Sequence, residues 1–153
     1  MSTNRLSYGI LIGLFVILAC YSVFTVISNG ASGEKASEQK NEIDRTFVYY
    51  LTTIHESLER DAEDPSSYRM LIASVGAAAG LSHLATYERE NDGLDLMLAS
   101  LQAAVVNDEH TEQVKYSYGQ LRELFAKLVA NPSDVDVTAK IGAICDRINA
   151  GGN

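Results

Sequence analysis

From Tyr8 to Ile27 the chain reads YGILIGLFVILACYSVFTVI, with no charge and only Ser22 and Thr25 as polar side chains. A helix of about 1.5 Å rise per residue makes this stretch ~30 Å long, the thickness of a bilayer's hydrocarbon core. In lipid, backbone amides must be satisfied within the segment, which a helix does. The pattern therefore predicts a short tail over 1–7 and a transmembrane helix over 8–28.

Beyond Gly33 the pattern changes from continuous to periodic. Asn29-Gly-Ala-Ser-Gly33 is small and polar, and predicts a flexible linker over 29–36. Ile43, Phe47, Tyr50, Leu51, Ile54 and Leu58 then recur every three or four residues, the signature of a half-buried helix. Asp64-Pro65 predicts a second helix start, with Asp64 as cap and Pro65 in the first helical position. That helix is expected to carry Tyr68, Leu71, Ile72, Val75, Leu81, Leu84 and Tyr87. Its middle, 73–80, is almost all Ala, Gly and Ser, which lets neighbouring axes approach closely and predicts a central element.

Asn91-Asp92-Gly93 marks a turn, and Leu94, Met97, Leu98, Leu101 and Val105 form a third helical stripe. Asn107-Asp108 breaks it. A fourth helix is expected through Val114, Tyr118, Leu121, Phe125 and Leu128, and a last one through Val137, Ile141, Ile144 and Ile148. No strand-like alternation and no repeat period is present. The expected fold is all-α: an N-terminal single transmembrane helix followed by a four- or five-helix soluble bundle, with an acidic helical domain over 37–150 and a disordered C-terminus at 151–153. The eighteen uncharged residues 70–87 approach the minimum for a second span. Ser74, Ser82, His83, Thr86 and two glycines make them a poor lipid-facing surface, and a buried core helix is the simpler reading.

Charge narrows the partners. All twenty acidic residues but only eleven of the twelve Lys and Arg lie from Glu34 onward, so this part is near −9 with His neutral. Such a balance disfavours nucleic acid and tight docking on anionic headgroups, both of which demand clustered basic residues. Arg5 ahead of the apolar run, and the absence of a clean cleavage site after it, point to an uncleaved signal anchor. Lys35 and Lys40 interleave with Glu34, Glu38 and Glu42, so the expected location is a single-pass cell membrane protein with its domain extracytoplasmic. Ile17-Leu18-Ala19-Cys20 resembles the lipobox of bacterial lipoprotein signals, which would make Cys20 the lipidated residue, although the chain stays apolar after it. Gly9 and Gly13 have the spacing that lets two membrane helices pack, hence a candidate homodimer through that helix.

Candidate chemistry is sparse. His55, His83 and His110 are scattered, without the H-x-x-x-H or E-x-x-H spacing of metal sites, and His55 pairs more simply with Glu59 one turn on. The carboxylates over 56–64 lack the turning glycine of a calcium loop. No nucleophile elbow or phosphate-cradling loop occurs, and Cys145 sits on an apolar stripe as a core thiol. No catalytic residue, metal or cofactor is expected. Tyr49 and Tyr50, and Tyr116 and Tyr118, are the candidate aromatic interface. The expected function is a membrane-held, non-enzymatic protein-interaction or scaffold module with an unidentified protein partner. A ligand-sensing regulatory ectodomain and a phage-type lysis regulator or other membrane-active protein are the alternatives.

Overall fold

The computed structural model describes residues 36–151. The expected membrane helix with Gly9, Gly13 and Cys20 lies outside the described residues, as do the tail, the linker up to 35, and residues 152–153. Ala36, the last position expected in the linker, is already helical.

Among the described residues six α-helices follow one another: α1 (36–59), α2 (Pro65–Ser82), α3 (Leu94–Val106), α4 (Thr111–Tyr116), α5 (Tyr118–Ala130) and α6 (Val135–Asn149). There is no strand among the described residues. None of the described helices is long and apolar enough to cross a membrane. The segment 70–87 does not form one: α2 stops at Ser82.

The caps follow the sequence closely. Asp64 accepts hydrogen bonds from the Ser66 hydroxyl (2.7 Å), the Ser66 N–H (3.0 Å) and the Ser67 hydroxyl (2.9 Å), and Pro65 takes the first turn of α2. Those bonds, led by the Ser66 hydroxyl, hold the Asp64 carboxyl down at about 2, against an ordinary 3.8. Asp134 caps α6 by accepting from the Val137 N–H at 2.9 Å. Asn107 does the same for the short 3-10 turn Asp108–His110, through the Glu109 N–H at 3.1 Å.

The interior is one apolar cluster to which every helix contributes, from Phe47, Leu51 and Ile54 on α1 to Ile141, Ile144 and Ile148 on α6. α3 packs against both α2 and α6, and α5 packs on α6. α3 and α6 run alongside in the same direction. Asn91, just ahead of α3, donates to the Thr138 hydroxyl at 2.7 Å, and Asn149 near the end of α6 donates to the Ser100 carbonyl at 3.0 Å. At the other flank the Tyr68 hydroxyl donates to the Val105 carbonyl at 3.0 Å, satisfying a carbonyl orphaned at the end of α3.

Two expectations are corrected. The second helix does not reach Tyr87. The Ser82 hydroxyl bonds back to the Ala79 carbonyl at 2.9 Å, and the chain turns into a separate 3-10 turn, Thr86–Arg89. That turn has no cap of its own. Asp44 on α1 supplies it, accepting from the Thr86 N–H at 2.7 Å and the Thr86 hydroxyl at 2.6 Å, while Tyr87 packs its ring on Phe47.

Within the small-residue stretch of α2, Ser74, Val75 and Ala78 are buried and α2 packs on α3. Ala73 and Gly80 are exposed, and a Cβ on Gly76 would meet only the Gln102 side chain at an ordinary 3.5 Å. The fourth expected helix is two, α4 and α5, divided at Ser117. The Ser117 hydroxyl bonds back to the Gln113 carbonyl at 2.8 Å, yet the residue keeps helical dihedrals, so the apolar spacing runs through the break.

Leu98 is fully buried on α3. Leu98→Ala is expected to cost ~2–5 kcal/mol in urea unfolding, whereas Ala126→Gln on the exposed side of α5 changes stability by less than ~0.5 kcal/mol. The lowered Asp64 carboxyl stabilises α2 above its ordinary value of 3.8, and this contribution disappears as the pH falls to about 2. Asp64→Ala should flatten that acid limb in a helical circular dichroism titration and leave the neutral-to-alkaline limb unchanged.

Candidate functional site

Apolar side chains left in solvent are the domain's most informative surface feature, because a packed helical core has no use for them. On α3 the buried stripe is Leu94, Met97, Leu98, Leu101 and Val105, and Leu96 falls out of phase with it, 72% exposed. On α6 the stripe is Val137, Ile141, Ile144 and Ile148, and Val135 falls out of phase, 53% exposed. Leu96 and Val135 face the same cleft of about 360 Å³ between α3 and α6. Met97 lies in its floor, and Ala139, Gly142 and Ala143 give α6 a shallow side there.

The charges around this groove have one sign. Asp92 and Asp146 line it, and among the described residues no Lys, Arg or His does. The Asp146 carboxylate accepts from the Ser100 hydroxyl at 3.2 Å across the groove's far end. At the near end Asn91 is 1% exposed, and its amide nitrogen donates to the Pro132 carbonyl and the Thr138 hydroxyl. Its Oδ1 accepts from none of the described residues, and lies 3.9 Å from where a Cβ on Gly93 would stand. A second cleft, about 490 Å³, lies between the α4–α5 junction and α6, and is mixed in charge, with Glu112 and Arg147.

The tyrosines expected to form an aromatic surface separate. Tyr49 is exposed and meets the partly buried Tyr50 edge-on at 5.4 Å between ring centres. Tyr116 is 93% exposed beside the second cleft, but Tyr118 is buried, so only one ring of that pair reaches solvent. Burial pushes the Tyr118 hydroxyl up to about 12, helped by the neighbouring Tyr68. His55 and Glu59 pair at 3.9 Å as expected. Lys115 ties α4 to the loop before α2 through Glu63 at 2.9 Å, with Glu112 at 3.2 Å as a second partner, and both bonds raise its ammonium above the ordinary value. Among the described residues, no three His, Cys, Asp or Glu side chains gather to hold a metal ion.

Leu96, Val135 and the small residues of α6 do not stand out in the sequence because the helical period marks only residues in phase with the core. The available signal was the opposite one: an apolar side chain out of phase, beside Ala139-x-x-Gly142-Ala143. Compared with known protein families, with curated proteins and with solved structures, the chain matches none.

Cys145 is fully buried, and burial first, then the Asp146 charge, pushes its thiol up to about 12. In a Cys20→Ser chain, maleimide at neutral pH should leave Cys145 unlabelled until denaturant is added, read as a single mass increment. Rapid labelling of the native chain would contradict the packing of α6.

Proposed function

We propose that this chain is a membrane-tethered protein-interaction module, in which an acidic helical domain is held at the extracytoplasmic surface and acts by binding another protein. The observation that carries this reading is the α3–α6 groove, where Leu96 and Val135 stand in solvent above a floor of small residues. An apolar surface of this kind is costly to leave in water and gains by being covered. The uncharged run 8–27 supplies the tether in this reading, since twenty apolar residues suffice for one span. Confinement to a surface raises the effective concentration of the domain beside other membrane components, so a modest intrinsic affinity is enough. Tyr49 and Tyr116 offer further exposed rings of the type enriched at protein interfaces.

The reading is tested in native membranes. The full chain should stay with the membrane pellet through alkaline carbonate washing, and a Ser37→Cys thiol in a Cys20→Ser chain should react with an impermeant maleimide added outside. Photo-reactive residues placed singly at Tyr49, Leu96 and Tyr116 should give at least one discrete protein adduct. Release by carbonate, or protection of the new thiol until the membrane is opened, would overturn the tether or its sidedness; absence of adducts at all three positions would overturn the interaction role. A mature chain beginning at Cys20 with a lipid mass would replace the transmembrane tether by a lipid one.

A further inference from the structure

We propose that the α3–α6 groove receives a basic amphipathic helix of the partner protein, an inference that rests on the interaction role proposed above and specifies its chemistry. Shape is the first argument. α3 and α6 lie side by side in the same direction, and the stretch from Val135 to Asp146 that borders the groove measures ~17 Å along a helix, about three turns. Ala139, Gly142 and Ala143 present almost no side chain, so a third helix can settle with its axis nearer than the usual 8–10 Å. Leu96 and Val135 then stand on either wall, placed to grip a bulky apolar anchor, as in helix-in-groove recognition.

Charge is the second argument, and it selects among occupants. Both ionised side chains that line the groove, Asp92 and Asp146, are carboxylates. A second copy of this chain would bring the same carboxylates against one another, from a domain already near −9. An anionic lipid surface would meet the same repulsion. Lysine or arginine flanking an apolar face is the complement.

The chain contains three methionines, Met1, Met70 and Met97, and of the two among the described residues Met97 borders the groove and Met70 does not. This makes a direct assay. Full chain labelled at the methionine methyls, in phosphatidylcholine nanodiscs, is titrated with a roughly three-turn helical peptide carrying Leu and Phe on one face and Lys on the other. Empty nanodiscs correct for peptide taken up by lipid. The Met97 methyl should shift saturably while Met70 stays in place, and the same peptide with Glu for Lys should leave Met97 unmoved. Asp92→Asn with Asp146→Asn should weaken the titration at least roughly five-fold at low salt and reduce its salt dependence. Leu96→Ala should weaken it while keeping the Met70 signal and helical content that report an intact fold.

Three results would overturn the proposal: a Met97 methyl indifferent to the Lys peptide, an equal response to the Glu peptide, or a variant pair that binds unchanged. A Met97 shift that follows protein concentration alone would make the groove a self-association surface, and one that follows added phosphatidylglycerol would make it a lipid surface; each likewise overturns it. Adducts from Tyr49 or Tyr116 together with a silent groove would remove this inference and leave the interaction role standing.

Discussion

Because α3 carries one charged side chain in thirteen residues and buries Leu94, Met97, Leu98, Leu101, Ala104 and Val105, other helices are obliged to cover it. A helix of that length is marginal alone in water, and its intrinsic preferences differ by only ~0.7 kcal/mol per ordinary residue. Burying one leucine is worth about 1.5–3 kcal/mol, so packing outweighs propensity at every position of the stripe. The positions of α2 and α6 follow from that demand. The Tyr68–Val105 bond at one flank and the Asn91–Thr138 and Asn149–Ser100 bonds at the other then fix their register.

The groove is a by-product of the same arrangement. Two parallel helices leave a furrow between them, and its depth is set by what their outward edges carry. Here α6 contributes alanine and glycine, so the furrow stays open, and Leu96 and Val135 are left on its shoulders. The second cleft differs in kind. Glu112 and Arg147 satisfy opposite demands there, and Lys115 nearby is already engaged by Glu63 and Glu112. The ionised residues lining the groove are therefore both acidic, whereas those lining the second cleft carry both signs.

Much of the fold was legible because its signals are local. Asp64-Pro65, Asn107-Asp108 and Asn131-Pro132-Ser133-Asp134 punctuate the chain through bonds made within three residues, and the apolar stripes of α1, α3 and α6 follow a single period. What stayed hidden is non-local. The turn after Ser82 depends on a carboxylate forty-two positions earlier, Asp44, which no local pattern around Thr86 announces. The break at Ser117 is a hydroxyl returning to its own helix, too slight to disturb the spacing of Val114, Tyr118 and Leu121. Tyr116 and Tyr118 lie two apart, on different faces of a helical path, so one ring enters the core as the other leaves it. The groove was illegible for a related reason: it belongs to the relation between α3 and α6, and neither sequence alone describes it.

The clamp between Asp44 and Thr86 has a mechanical side. Any pull reaching the domain from its N-terminal side is delivered along α1, and Asp44 stands one turn ahead of Phe47, the first fully buried side chain on that helix. Its paired bonds to the Thr86 N–H and hydroxyl stand beside Ile43, which already packs on the interior, so the polar and apolar contacts would be loaded together. Being charge-assisted and short-ranged, the bonds to Thr86 resist small strains stiffly and let go abruptly. The Asp44–Thr86 pair therefore pins α1 to the turn that follows α2 through polar bonds as well as through the apolar interior.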